Sequence, residues 1–251
     1  MCYAFISVKK KRNAAKLPPV RMDIQLHYTE KGDGDVLVLL HGNGEDSTYF
    51  QAQIEYFSAR YRVIAVDTRG HGASPRGTGA FTLERFACDL ADFFDAHEIG
   101  KAHLLGFSDG ANIALLFALE HPERLKSLIL NGADLYPSGV KASVQIPIVC
   151  GYLAASVASV FDRRAVPKRE LLGLMVREPH IKPASLGRLK LPVLVIVGTD
   201  DMIKDSHSRL IASSIPNARF VRIKGDHFIA AGNPAEFNGV VGSFLSEVDY
   251  E

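Results

Sequence analysis

The stretch AHLLGFSDG, residues 102–110, runs from a short apolar segment into a Gly-x-Ser-x-Gly pentad. The residues that follow it are apolar on nearly all sides, which predicts a helix buried in the middle of the fold. Small residues also recur wherever a strand packs closely on a helix, so the pentad alone does not make Ser108 a nucleophile. Its setting, with a strand before it and a buried helix after it, predicts a sharp turn that lifts the Ser108 hydroxyl above the edge of a sheet.

Short β-rich runs alternate with helical patterns along the chain. The predicted strands are 25–30, 35–40, 61–66, 102–106, 126–131, 192–197 and 218–223. The central runs are almost continuous Val, Ile and Leu, as in parallel sheets covered on both faces. We therefore predict an α/β fold with a doubly wound, mostly parallel sheet and helices on both faces. The turn residues Gly32, Asp33 and Gly34 predict that the first two strands form an antiparallel hairpin at the edge.

One interval, residues 133–191, is too long for a plain crossover between two core strands. It contains helical patterns at about 141–160 and 167–178. We interpret it as a small helical lid, inserted before the penultimate strand and lying over the carboxyl edge of the sheet. Its apolar residues Leu153 and Phe161 are predicted to contact substrate and to set specificity.

Two further candidates for chemistry lie downstream of Ser108. Asp201 follows a strand in a Gly-x-x-Asp sequence, and His227 follows the next strand. A serine hydroxyl needs a base to take its proton and an acid to orient that base. Because parallel strands bring their carboxyl ends to one edge of a sheet, these residues are expected to meet there. Asp200, beside Asp201, and Asp134, after an earlier strand, remain alternatives for the acid.

Taken together, these motifs resemble those of the α/β-hydrolase fold family. The matching segments are HGNG (41–44), DTRGHGAS (67–74), GFSDG (106–110), GTDD (198–201) and GDHF (225–228). The resemblance implies Ser108 as nucleophile, His227 as general base and Asp201 as the orienting acid. It also implies that the backbone N–H groups of Asn43 and Asp109 form an oxyanion hole.

The resemblance implies a serine hydrolase with an acyl-enzyme mechanism, and we expect a carboxylic-ester hydrolase for small-molecule substrates. Thioesterase, lactonase, perhydrolase and carbon–carbon hydrolase activities use the same fold, and a non-catalytic ligand receptor is a separate alternative. Relatives that cleave haloalkanes or epoxides use an aspartate nucleophile, which Ser108 argues against. Asp109 places a carboxylate beside the serine, and we expect it to bind substrate and favour cationic, amino-acid-like esters.

Composition limits the other partners. The chain of 251 residues has 29 basic and 28 acidic residues, a net charge of +1, so neither nucleic acid nor a membrane is expected as a partner. No uninterrupted apolar run of about 18 residues is present, so no membrane-spanning helix is predicted. HGNGED lacks the third glycine of a dinucleotide site, and no metal motif occurs; no cofactor or metal is expected.

Three widely spaced cysteines, an odd number, argue against a disulfide framework and fit a reducing cytoplasm. We therefore predict a cytoplasmic protein, either a monomer or a homodimer. Residues 1–21 are interpreted as an N-terminal extension without function, because Met22 opens the first strand-like stretch. The hydrolase domain is predicted to cover residues 22–251.

Overall fold

A computed structural model of the protein describes residues 23–250; the predicted extension, residues 1–21, lies outside them. Seven strands form one sheet in the order β1-β3-β2-β4-β5-β6-β7. The strands are β1 (Tyr28–Lys31), β2 (Asp35–Leu40), β3 (Tyr61–Val66), β4 (Ala102–Phe107), β5 (Leu125–Asn131), β6 (Val193–Gly198) and β7 (Ala218–Ile223). All neighbouring pairs are parallel except β1 with β3. The predicted doubly wound, mostly parallel sheet is confirmed.

Helices cover both faces of this sheet. They are α1 (Gln51–Phe57), α2 (Leu83–Ala96), α3 (Asp109–Glu120), α4 (Ala142–Phe161), α5 (Val166–Arg177), α6 (Pro183–Leu186), α7 (Asp205–Ser214), α8 (Ile229–Gly232) and α9 (Pro234–Tyr250). Alternate residues of each strand enter different cores: Val38 packs in the cluster that contains α2, α3 and α7, whereas Leu37 packs in the cluster that contains α1, α8 and α9. Nearly continuous apolar strands are required because both faces are buried.

The predicted edge hairpin is wrong. β1 pairs with β3 rather than with β2, and β2 lies on the other side of β3. The turn at 32–34 therefore crosses the start of β3. A Cβ on Gly32 would lie 2.4 Å from the carbonyl oxygens of Ser58 and Tyr61, and the φ of Gly32 is 84°. Glycine is needed for this close crossing, and the sequence signal for a tight hairpin looks the same.

The long interval between β5 and β6 folds as predicted into two helices, α4 and α5, which pack against each other. We call residues 133–191 the insertion. Salt bridges and hydrogen bonds join it to the rest of the domain: Arg76 pairs with Glu170 at 2.7 Å, and the Leu83 N–H donates to Glu178 at 2.6 Å. The insertion is thereby fixed beside the start of α2.

α4 is the helix that bears on the prediction that no helix spans a membrane. α4 has 20 residues and could cross a membrane by its length and apolar composition. A search for an uninterrupted apolar run does not find α4, because uncharged Ser, Gln, Gly and Pro residues interrupt its apolar sequence. Separately, Cys150 on α4 is an exposed free thiol.

Candidate active site

Ser108 occupies the sharp turn between β4 and α3. Its backbone has φ 53° and ψ −122°, a strained conformation for a residue other than glycine. A Cβ on Gly106 would lie 2.2 Å from the Gly110 carbonyl oxygen, and a Cβ on Gly110 would lie 2.2 Å from that of Leu40. Both flanking glycines of the pentad are therefore required by close backbone approach, which also brings the start of α3 against the end of β2.

The structure brings Ser108, His227 and Asp201 together in one hydrogen-bonded chain. His227 Nε2 lies 3.0 Å from the Ser108 hydroxyl oxygen, and Nδ1 lies 2.7 Å from Asp201 Oδ1. Because a carboxylate can only accept, Nδ1 carries the proton, and Nε2 is left to accept from the serine hydroxyl. His227 and Asp201 are each 4% exposed, so solvent competes little for these bonds.

The two alternative acids lie elsewhere. Asp200 is exposed and accepts only from the neighbouring Thr199 hydroxyl among the described residues. Asp134 is buried and accepts from the Asn112 side chain at 2.8 Å, not from His227. The Asp201 carboxylate is fixed by its own turn, because the Ile203 N–H donates to it at 2.8 Å. Of the three acids, Asp201 alone orients the histidine.

Gly132, immediately after β5, was missed by the sequence analysis. Its φ is 65°, and a Cβ there would lie 2.6 Å from Cε1 of His227 and 2.9 Å from Nδ1. The glycine therefore leaves the space that the imidazole ring fills. The ring also contacts Phe107, with centroids 4.8 Å apart. A glycine directly after a core strand, in LILNG, was the available signal.

The two residues expected to supply the oxyanion hole face each other across the site. Asn43 lies in the loop after β2, and Asp109 is the first residue of α3. Among the hydrogen bonds within residues 23–250, neither backbone N–H has an acceptor. His41 supports this loop: burial lowers the pKa of His41 to about 4, and the neutral ring accepts from the Thr68 N–H at 3.0 Å.

The Asp109 side chain links the turn to that loop. Asn43 Nδ2 donates to Asp109 Oδ2 at 2.9 Å and also to the carbonyl oxygen of Leu171, in α5, at 2.9 Å. The side-chain amide of Asn43 thus joins the loop after β2, the serine turn and the insertion. Burial raises the pKa of Asp109 to about 6, although the Asn43 hydrogen bond opposes the shift.

Two further carboxyl groups lie near Asp109. Burial raises the pKa of Asp134 to about 7 and that of Glu178 to about 7, and repulsion from Asp109 adds to both shifts. No basic side chain of residues 23–250 forms a salt bridge with any of these three acids. The surroundings of Asp109 therefore carry two buried acids and one half-buried acid without a basic salt-bridge partner among residues 23–250.

The structure does not bring Leu153 and Phe161 to this site. Both side chains lie on the outer surface of α4, where Leu153 is 58% and Phe161 is 86% exposed. Their outward position does not fit the predicted contact with substrate. The sequence did not indicate which side of α4 packs inward, because the helix is apolar on every side. A cavity of about 450 Å³ between α4, α5 and the residues just before α2 includes Tyr152 and Glu178 in its lining, but not Ser108.

One cluster could offer metal ligands. Asp35, His103 and Asp249 each present a ligand atom within 4.8 Å of the others. These groups already have partners: Lys126 donates to Asp35 at 2.6 Å, and the Tyr61 hydroxyl donates to Asp249 at 2.7 Å. The cluster lies where β2 and β4 begin, at the end of the sheet opposite Ser108. We interpret it as a bonded network that ties the end of α9 to the sheet.

Comparisons with known proteins agree with this fold. A family model described as alpha/beta hydrolase fold matches residues 35–164. The "Putative carbamate hydrolase RutD" of Azorhizobium caulinodans is 30% identical, over 90% of this chain and 97% of that protein. The enol-lactonase of Burkholderia xenovorans LB400 superposes with a TM-score of 0.75 at 23% identity, covering 89% of this chain and 97% of the lactonase. A thermophilic esterase of Thermogutta terrifontis gives 0.74 at 24%, covering 90% and 94%.

This chain belongs to the α/β-hydrolase fold family. The family model covers more than half of the chain, and the matches in sequence and in structure extend over nearly all of it. The protein is a hydrolase of this fold. Which bond it hydrolyses depends on the groups around Ser108.

Proposed function

We propose that the protein is a serine hydrolase that cleaves small carboxylic esters through an acyl-enzyme. The observation that carries this proposal is the hydrogen-bonded chain from Asp201 through His227 to Ser108. It joins an acid, a base and a hydroxyl at the geometry that nucleophilic catalysis requires. The strained turn supports the same role, because a non-glycine residue at positive φ costs conformational free energy and such strain is concentrated at functional sites.

In the proposed reaction, the Ser108 oxygen attacks the ester carbonyl carbon while its proton passes to Nε2 of His227. The backbone N–H groups of Asn43 and Asp109 donate to the oxygen anion that forms, aided by the N-terminus of α3. Collapse of this intermediate expels the alcohol, which takes the proton from His227. Water then attacks the acyl group on Ser108 as His227 takes its proton. The bond between the acyl carbon and the Ser108 oxygen breaks, this oxygen takes the proton back from His227, and the acid is released.

We further propose that Asp109 favours substrates with a cationic group near the scissile carbonyl. Support comes from the buried acids around the serine turn, which have no basic partner among the described residues. An α-ammonium group of the substrate would supply the missing charge. The proposal also accounts for a carboxylate beside an oxyanion hole, where it otherwise opposes the developing negative charge.

Carbamate cleavage is the second candidate. The observation in its favour is the 30% identical relative from Azorhizobium caulinodans, which bears the name of a carbamate hydrolase. A carbamate carbonyl can be attacked by the same serine and stabilised by the same N–H groups. The relative's name and the site geometry therefore both support an acyl-group hydrolase. The two candidate substrates differ in the nitrogen that a carbamate carries on its carbonyl carbon.

A substrate panel tests these functions. We expect many turnovers per active site on p-nitrophenyl acetate, with lower kcat/KM on a p-nitrophenyl carbamate, a thioester and a lactone of similar size. A carbamate preference of tenfold or more would replace the ester by the second candidate. One slow burst or no release of nitrophenol on the whole panel would reject hydrolysis of these substrates and favour a ligand receptor.

The role of Asp109 is tested with two substrates of matched shape, the p-nitrophenyl esters of alanine and of isobutyric acid. Asp109→Asn keeps an acceptor for Asn43 but removes the charge. We expect kcat/KM for the alanine ester to fall about ten- to a hundredfold, and that for the isobutyrate to stay unchanged or rise slightly. Equal losses on both esters would leave Asp109 only as the residue that joins Asn43 to the serine turn.

A further inference from the structure

The outer surface of α4 is an exposed apolar face. It consists of Ile146, Cys150, Leu153, Val157, Val160 and Phe161, which recur at the three- and four-residue spacing of one side of a helix. The exposed fractions of Ile146, Val157 and Val160 are 62%, 64% and 76%. These residues make a continuous stripe along most of the helix, which we call the α4 face.

The opposite side of α4 is already occupied. It packs on α5. Gln145 Nε2 donates to the Met175 carbonyl oxygen at 3.0 Å, and the Arg177 guanidinium lies 5.0 Å from the centre of the Tyr152 ring. Ala155 is the only residue of α4 that is buried. The α4 face is therefore not a misplaced core surface that a small shift of the helix would bury.

Charge is absent from α4 and concentrated around it. None of its 20 residues is charged. Lys141 precedes it and is exposed, and Asp162, Arg163 and Arg164 follow it; Arg163 and Arg164 are exposed, and Arg164 pairs with Asp162 at 2.9 Å. Residues 141–178 contain six basic and three acidic residues, a net charge of 6 − 3 = +3. The whole chain carries +1, so the remainder carries −2. Residues 1–21 hold six more basic residues and no acidic one, so the positive charge of the insertion is local only among residues 23–250.

We propose that the α4 face docks on an anionic lipid surface, with α4 lying in the interface and its basic ends on the headgroups. A helix with a long apolar face and flanking basic residues has the composition of interfacial helices. Each basic residue held at such a surface adds to its electrostatic attraction. The site is independent of the ester chemistry, because none of its residues belongs to the Ser108 chain.

Charge argues against the two other arrangements of α4. Two copies of the α4 face packed along their length would bring positive ends together in either orientation, because Lys141 is positive and residues 162–164 carry a net charge of 2 − 1 = +1. A membrane-spanning α4 would draw charged α5, which packs along it, into the hydrocarbon. Lying flat on an anionic surface avoids both costs.

The proposal departs from the expectation, drawn from a net charge of +1, that no membrane is a partner. A charge summed over the chain does not report how it is distributed. The positive residues meet an apolar stripe only because the insertion folds as a helical pair on the outside of the domain. Attraction to a lipid surface depends on that local arrangement within a Debye length.

Vesicle sedimentation tests the proposal on the full chain. We expect binding to vesicles of phosphatidylcholine with 30% phosphatidylglycerol, on the order of tenfold stronger than to phosphatidylcholine alone. Val157→Ser with Phe161→Ser should weaken binding about tenfold through the lost apolar contact. Arg163→Gln with Arg164→Gln should weaken it similarly and reduce its salt dependence. Tyr250→Ser, an exposed aromatic outside the insertion, is the matched control and should bind as the unaltered protein does.

Three results would overturn the proposal: no vesicle binding by the unaltered protein, equal binding by all variants, or a dimer in analytical ultracentrifugation that Val157→Ser with Phe161→Ser dissociates while vesicle binding is absent. Far-UV circular dichroism checks that each variant is folded. Repeating the sedimentation with Ser108→Ala separates this proposal from the proposed function, because an inactive protein should bind vesicles normally.

Discussion

Two apolar helices of this protein have opposite surroundings. In α3, nine of twelve residues are buried, whereas in α4 only Ala155 of twenty is buried. α3 begins at Ser108 and packs against α2 and the central strands, but α4 packs mainly on α5. Apolar composition therefore does not determine burial. In α3 it holds a strained turn in place, and in α4 it leaves a surface that can meet an external partner.

The largest expected effect is a loss of turnover on substitution of the residues at the start of buried α3 and next to it. Ser108→Ala and Asp201→Asn should each reduce kcat for p-nitrophenyl acetate at least about a thousandfold, because serine, histidine and acid act as a unit. Thermal unfolding should change little, since neither substitution empties the core. Initial-rate kinetics and circular dichroism measure both quantities.

The control for the acid is the neighbouring aspartate. Asp200 is exposed and does not contact His227, so Asp200→Asn should retain near-normal turnover. If Asp200→Asn reduced kcat more than Asp201→Asn, the acid would be reassigned. Near-normal activity of Ser108→Ala would remove the nucleophile and with it the proposed mechanism.

The contrast between the helices can be measured directly with one type of substitution. Leu115 in α3 is 0% exposed and Leu153 in α4 is 58% exposed. Leu115→Ala should lower the free energy of unfolding by about 2–5 kcal/mol, because it leaves a cavity. Leu153→Ala should change it by no more than about 0.5 kcal/mol. Urea denaturation without lipid gives both values, and similar losses at the two positions would show that α4 is buried in solution.

The smallest expected effect is the pH dependence of stability that the buried Asp134 causes. The pKa of Asp134 is raised by burial from 3.8 to about 7, so the folded protein holds this proton more tightly than the unfolded chain. Stability from this group is therefore fully present below about pH 4 and is lost as the pH rises through 7. Asp134→Asn should relieve that loss.

Urea denaturation at pH 4 and pH 8 measures it. One pKa unit corresponds to about 1.4 kcal/mol, so the stability gained by Asp134→Asn should be at least about 1 kcal/mol larger at pH 8. Asp200→Asn, at an exposed site, should show no such dependence. A gain that is equal at the two pH values would mean that Asp134 has no raised pKa in the folded protein.

Much of the sheet edge that holds Ser108, Asp201 and His227 was predictable from sequence, because the structural constraints there are local. The pentad around Ser108 must contain Gly106 and Gly110, since any Cβ would meet backbone within about 2.2 Å. Asp201 and His227 follow consecutive parallel strands, so they reach the same edge of the sheet once those strands pair. Gly132 was missed because its constraint comes from the His227 ring, 95 positions away along the chain.

The sequence by itself determined the alternation of strands and helices, the serine turn, the two helices of the insertion and the order of the three catalytic candidates. Each follows from spacing along the chain or from backbone crowding within a few residues. Tertiary structure decided that β1 pairs with β3, that Asn43 joins Asp109 to α5, and that Leu153 and Phe161 face outward. These outcomes depend on which surfaces meet, and an apolar helix such as α4 has no sequence mark that distinguishes its covered side from its exposed one.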